Sequence, residues 1–376
     1  MEIRDFTHVK HFPGTEGNPF DAVLRKIDDL QKLPWPLILT ILLFLSWIPS
    51  YNQPVRIAVL LAFFLSDWLL LGLLPRAGYS FGSPRPTTLL LAVMRLPFAL
   101  LPFPVNLIFQ FIGTALVIYG FWIEPHRLTL THQVLVSDKL KGDRPVRLLH
   151  LGDLHLERIS KRERELNRLV KELQPDLILF SGDVLNLSFT EDPTAIKQAQ
   201  QIMREWQAPH GVFLVSGSEA VDLEHIFAGL VEPLPVEWLD NRVVRVELPE
   251  NTLQIIGVTC SHRPHQDAPV LDDLLAQTQE GFKILLYHSP DLAPIAAQKG
   301  IDLQLSGHTH GGQICLPVFG PFFTASLYGR AFRSGRYQIG GLTLFITRGI
   351  GMEGKAAPRV RFLCSPEIIL WELRAH

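Results

Sequence analysis

An α+β domain behind an N-terminal helical membrane region is the architecture that the sequence predicts. Three observations carry it. Long uncharged runs are confined to the first third of the chain. Short apolar stretches then alternate with polar, helix-patterned ones. Those apolar stretches repeatedly end at Gly, Asp or His.

The membrane region comes first. Leu33 to Val55 holds no charge, Ile57 to Leu74 only Asp67, and Leu96 to Ile123 none. A crossing takes about 20 apolar residues, so residues 33–123 are expected to form three to four transmembrane helices. The fourth requires Thr87–Pro102 and Val105–Ile123 to form a proline-broken hairpin. Runs this long and uncharged do not suit a buried bundle of a soluble protein. The first run begins only after residue 32 and others follow it, unlike a cleaved signal peptide.

Residues 1–32 carry Arg4, Lys10, Arg25, Lys26 and Lys32, whereas the next two loops hold few basic residues. The positive-inside rule makes 1–32 a cytoplasmic segment. Four crossings return residues 124–376 to that side, and three leave them outside. The turn at Pro102 and Pro104 has no Lys or Arg, as an outside loop should, so four is the expectation. Asp67 and Arg95, within apolar runs, read as a structural ion pair without a further polar relay. A net charge of -2 over 376 residues gives no argument for nucleic acid, and the three cysteines read as buried free thiols.

In residues 124–376, Leu128–Val136 reads as a strand. Val146–Leu151 is a buried strand running into Asp153 and His155. Lys161–Leu173 is an amphipathic helix with Leu166, Leu169, Val170 and Leu173 on one face. Asp176–Phe180 leads to Asp183, Gly211–Val215 to Ser216-Gly217, and Lys283–Leu286 to His288. Asp302–Leu305 leads into the Gly307-His-Thr-His310 turn, and Leu342–Thr347 and Glu367–Leu373 close the chain. In sheets flanked by helices, ligands bind at the carboxyl ends of strands. Five strand ends therefore bring carboxylates and imidazoles to one edge.

This set suits two divalent ions about 3.5–4 Å apart, which clamp a phosphoryl group and activate a bridging water. Asp153, His155 and His310 would serve the first ion, Asp183 would bridge, and His288 and His308 would serve the second. Mixed oxygen and imidazole donors suit Mn, Fe or Zn better than Ca. Taken singly, His288 could cap a turn and Asp183 could close an Asx turn. Their joint order, each after an apolar strand, argues against coincidence.

The ordered blocks Asp153-Leu-His155, Gly182-Asp183-Val-Leu-Asn186, His288 and Gly307-His-Thr-His310 resemble the calcineurin-like metallophosphoesterase superfamily, over about residues 145–373. The Gly-Gly-Gln extension, with Arg348-Gly-Ile-Gly351 and Arg361 to Glu367, resembles its membrane-associated branch of phosphodiesterases and UDP-2,3-diacylglucosamine pyrophosphatases. The resemblance implies a two-sheet β-sandwich flanked by helices. It also implies a phosphodiester or pyrophosphate substrate, small or lipid-linked, attacked by a metal-bridging hydroxide. The expected place is the bacterial inner membrane, with the catalytic domain cytoplasmic.

One block departs from the family pattern. Gly217-Ser218-Glu219-Ala220 stands where the family has Gly-Asn-His-Asp/Glu. Ser218 replaces the family's asparagine ligand of the second metal. Three readings of Glu219 stay open: a ligand of that metal, a general acid, or the mark of a weakened second site. The last favours a rival function, a metal-binding membrane sensor or scaffold for a phosphorylated ligand. His262 and His265 lie in a polar loop and could contact substrate or simply be solvated. Arg348 could hold a phosphate bidentately or cap carbonyls. The uncharged Leu316–Tyr328 stretch could dip into a bilayer, hold acyl chains, or pack as core.

Overall fold

The computed structural model describes residues 2–15 and 17–376. Five helices precede the sheets: α1 Pro19–Asp28, α2 Trp35–Trp47, α3 Pro54–Leu73, α4 Pro84–Ala99 and α5 Phe103–Val117. Residues 33–123 thus hold four helices, with α4 and α5 joined at Leu100–Pro102 as the prolines predict. Two stretches are long and apolar enough to cross a membrane, Pro54–Leu73 and Phe103–His126. A third crossing requires counting Pro19–Lys32 and Trp35–Ser50 together, although they bend by 106°.

These helices bury a narrow stripe and leave apolar side chains outside. Leu60, Phe64 and Leu71 of α3 face Ile38 and Leu42 of α2, Ala92 of α4 and Val117 of α5, while Leu69, Met94, Ile108 and Phe111 are exposed. A helix apolar on every side belongs in an apolar solvent. Arg95 grips both carboxylate oxygens of Asp67 at 2.7 Å. It also donates to the Gln110 carbonyl at 2.7 Å and to Thr114 Oγ1 at 3.0 Å. The ion pair expected from sequence is present, but it does not stand without other polar groups. Gln110 in turn donates to Asn106 at 3.0 Å, so polar side chains of α5 complete the guanidinium's partners.

The rest of the chain forms two mixed six-stranded sheets. The first has the order β1 (Thr129–Val136), β14 (Glu367–Arg374), β2 (Val146–Leu151), β3 (Leu177–Phe180), β4 (Val212–Leu214) and β5 (Glu237–Trp238). The second runs β12 (Gly335–Ile339), β13 (Leu342–Ile346), β9 (Leu303–Ser306), β8 (Phe282–Leu286), β7 (Thr252–Gly257) and β6 (Arg242–Glu247). A short hairpin, β10 (Cys315–Leu316) with β11 (Gly320–Pro321), follows the histidine turn.

The period of two along each strand builds three apolar layers. Leu148, Leu177, Leu179, Ile284, Leu305 and Trp371 meet between the sheets. Their neighbours Leu149, Ile178 and Phe180 face α6 (Lys161–Leu173), α7 (Pro193–Met203) and α8 (Glu224–Val231). Leu285, Tyr287 and Leu344 face α9 (Pro264–Leu275) and α10 (Ala293–Ala296). Helix α6 starts where the sequence predicts because Ser160 and Glu163 form a reciprocal capping box. Both faces of both sheets are covered, so the open place for chemistry is the row of strand ends.

Two regions tie the N-terminal helices to the sheets. Glu124, near the end of the Phe103–His126 stretch, accepts from Leu363 N and Cys364 N at 2.7 Å and from Ser365 Oγ at 3.1 Å. The N-terminal segment crosses the two-sheet domain. Arg4 N donates to Tyr328 Oη at 3.3 Å, Arg263 lies over the Phe12 ring, and Ala220 N donates to Gly14 O at 3.3 Å.

Candidate metal centre

The pairing of β2 with β3 continues past the ends of both strands. Asp153 N donates to Gly182 O at 2.9 Å and His155 N to Asp183 O at 3.1 Å. The loops after β8 and β9 are joined by Gly307 N donating to His288 O at 2.8 Å. The backbone then turns through positive φ at Asp153 (48°), His155 (41°), Asp183 (62°), His308 (68°) and His310 (50°). Each such residue costs about 1–3 kcal/mol, a strain that concentrates at functional sites. Here it aims successive side chains into one space. Gly307 is required by the crowding, since a Cβ there would fall 2.3 Å from Asp153 Oδ2.

Two buried groups result. Asp153, His155, Asp183 and His310 offer ligand atoms all within 4.8 Å of one another. His288 and His308 do the same with His262. The carboxylate of Asp183 lies between the groups: its Oδ2 is 3.3 Å from His155 Nε2 and 3.4 Å from His288 Nε2. Ser218 Oγ sits beside it, 3.2 Å from His288 Nε2 and 3.5 Å from His308 Nδ1.

The donor set fits a divalent ion in each group. The Nε2 atoms of His155 and His310 face each other at 2.9 Å. Asp153 Oδ2 is buried without a hydrogen-bond partner among the described residues. An unpaired buried acceptor costs about 1–3 kcal/mol, a cost that a bound cation removes.

Charge is unevenly held. Burial opposes charge on both Asp183 and His288, yet their mutual attraction holds Asp183 well below the carboxylate range and lifts His288 to about 9. Burial, with the Asp183 charge, raises Asp153 to about 6. Burial and the neighbouring imidazoles keep His308 and His310 neutral, His308 at about 3.

The two remaining sequence candidates lie outside both groups. Glu219 pairs with Arg263 at 2.9 Å, with side chains 38% and 29% exposed respectively. Arg348 pairs with Glu367 at 2.8 Å and reaches Thr129 Oγ1 at 3.3 Å. Sequence reasoning missed one contributor outright and gave another only as a loop residue that could contact substrate or be solvated. Asp222 accepts from Asp183 N and Gly217 N at 2.8 Å and from Val184 N at 3.0 Å. It fixes the two turns that carry Asp183 and Ser218, and burial raises its carboxyl to about 6. His262 is the other, and its polar loop gave no sign of burial.

A half-open cavity of about 370 Å³ adjoins Ser218 and His308. The N-terminal segment supplies Pro13, Asn18 and Phe20 to its wall, and Leu187, Val221 and Phe323 complete the apolar lining. Asp21 and Glu353 also face it, and burial with Glu353 raises Asp21 to about 6. The loop after the histidine turn points outward: Val318, Phe319, Phe322 and Phe323 are exposed.

A sandwich of two mixed sheets with Asp and His groups at the strand ends is the arrangement that the sequence resemblance implies. The chain carries a calcineurin-like metallophosphoesterase domain, and residues 146–312 match the calcineurin-like phosphoesterase family. It is similar to an uncharacterized metallophosphoesterase, YkuE, of Bacillus subtilis (strain 168), 28% identical over 68% of this chain and 89% of that one. It is also similar to the phosphodiesterase YaeI of Escherichia coli (strain K12), 25% identical over 68% of this chain and 92% of that one. A transmembrane protein with metallophosphoesterase domain of Danio rerio is 27% identical over 56% of this chain and 49% of its own length.

Proposed function

We propose that this protein is a membrane-anchored phosphoesterase that holds two divalent ions and hydrolyses a phosphodiester or pyrophosphate on a lipid-linked substrate. The observation that carries the reading is the Asp183 carboxylate between two ligand groups. Asp153, His155 and His310 hold the first ion with Asp183, and His288 and His308 hold the second. The ions supply Lewis-acid stabilisation of the phosphoryl charge and a water made nucleophilic at neutral pH. The protein's part is to fix six donors, five of them on strained turns, and to keep them buried. Arg348 and Glu219 take no direct part in this reading, because each is held by its own ion pair.

The apolar cavity supports a substrate with a greasy portion beside the phosphate. Asp21 and Glu353 disfavour a dianionic monoester there, which favours a diester. Helix α1 supports access from the bilayer. Its Phe20, Val23 and Ile27 lie on one face and are exposed, and α1 bends by 106° from the helix that follows. An amphipathic helix with one exposed apolar face can lie in the interface plane. Phe20 stacks on Phe323 at 5.5 Å, so this face and the exposed hairpin form one apolar rim around the cavity mouth.

The N-terminal segment lies on the catalytic domain, which supports an even number of crossings. The basic residues of 1–32 favour the cytoplasmic side for both. The test is turnover of bis-p-nitrophenyl phosphate by the full chain with added manganese. Metal-dependent hydrolysis lost in Asp183→Ala is expected. With metal bound, no turnover of this diester or of nucleotide-linked lipids would leave the sensor reading instead.

A further inference from the structure

We propose that His262 is the ligand that completes the second metal position, replacing the asparagine for which this chain has Ser218. The inference rests on the two-ion reading above. A serine hydroxyl is a weak neutral donor, and Ser218 Oγ already lies within reach of Asp183, His288 and His308. It leaves the second position short of one strong ligand and leaves room, because serine is smaller than asparagine.

His262 occupies the place where such a ligand is needed. It is 2% exposed. Its ring centroid is 4.4 Å from that of His308 and 5.7 Å from that of His288. One ring nitrogen of each of the three lies within 4.8 Å of the others. His262 Nε2 is buried with no hydrogen-bond partner among the described residues. The residue has φ of 58°, the same left-handed turn that the donors Asp153, His155, Asp183, His308 and His310 adopt.

The loop that carries His262 is tied to the altered block. Arg263, the next residue, pairs with Glu219 at 2.9 Å. Ser261 N donates to Asp267 at 3.1 Å, and Tyr287 donates to the same carboxylate. Ser218 and Glu219 therefore act as one exchange. The first vacates a ligand position, and the second holds the loop that refills it. Gly14 closes over the result, since a Cβ there would fall 2.5 Å from His262 Nε2 and 2.9 Å from Ser218 Oγ.

The experiment is manganese titration of the full chain in detergent, read by elemental analysis and by the paramagnetic resonance of a spin-coupled manganese pair. Wild type should bind two ions per chain and give the coupled signal. His262→Ala should keep the first ion and lose affinity for the second by about tenfold or more, since even groups behind the ligands cost 10- to 100-fold. Retention of the first ion reports a folded variant. Adding Ser218→Asn to His262→Ala should restore the second ion and the coupled signal. Two ions bound by His262→Ala with wild-type affinity would overturn the proposal while sparing the two-ion reading. Fewer than two ions in wild type would overturn both. If His262→Ala alone loses both ions, the double variant decides: recovery supports the proposal, and failure overturns it.

Discussion

The two ligand groups flank the Asp183 carboxylate yet are built differently. The first draws on the ends of the adjacent strands β2 and β3 and on the turn after β9, and backbone pairing continues into its ligands. The second takes His288 from the end of β8, His308 from the same histidine turn, and His262 from a loop fixed by side chains. A position set by a sheet is rigid because the ladder sets it. A position completed by a loop can change ligand while the sheet stays the same.

Four tests probe that difference. The largest effect is expected for Asp183→Ala, which removes the shared carboxylate. Both ions should be lost and hydrolysis should fall about a thousandfold or more, given the several kcal/mol that bound metals contribute. His310→Ala should empty the first position alone, and equal loss from both variants would contradict a shared ligand. Next is Asp222→Asn, which turns one of the two acceptor oxygens into an amide donor facing backbone N–H, either that of Val184 or those of Asp183 and Gly217. Manganese affinity should drop about 10- to 100-fold at both positions, because Asp222 fixes the turns of Asp183 and Ser218.

The third test uses pH. His288 binds a metal only when neutral, and Asp183 lifts its proton affinity to about 9. A proton must leave for the ion to bind. Affinity at the second position should therefore weaken as pH falls below about 9, by at most about tenfold per unit for one proton. The first position should respond as well, because Asp183 overcomes burial and raises its ligand His155, although His310 there is already neutral. Calorimetry at several pH values in buffers of different ionisation enthalpy measures the proton release. Smallest is Glu219→Ala. An exposed pair is worth about 0–1 kcal/mol, so a change of up to about fivefold, at the second ion only, is expected in the same titration.

Much of this was legible in sequence. The strands at Val146–Leu151 and Glu367–Leu373 and the helix at Lys161–Leu173 follow from apolar period and capping, which are local signals. Asp153, His155, Asp183, His288, His308 and His310 follow from strand ends meeting at one edge, because parallel pairing makes sequence order a guide to position. His262 and Asp222 were not legible. Each is buried by segments distant in sequence, His262 beneath Gly14 and Asp222 beneath the turns at Gly182 and Gly217. Glu219 was misleading for the opposite reason. It sits in a ligand block, but its nearest strong partner is Arg263, 44 residues away. The four helices were visible as apolar runs, whereas the contacts of Arg4, Phe12 and Gly14 with the two-sheet domain left no periodic trace.

The Glu124 clasp has a practical meaning for cutting the chain. Glu124 lies beyond the last apolar residue, Ile123, but its carboxylate holds the loop at 363–365, and the Cys364 thiol donates to His310 O at 3.2 Å. A fragment beginning at Glu124 keeps this support for the histidine turn. One beginning at Arg127 discards it and strands two backbone N–H groups, at about 1–3 kcal/mol each if they stay buried. The shorter fragment should melt at the lower temperature, and equal melting of the two would show that the clasp is dispensable.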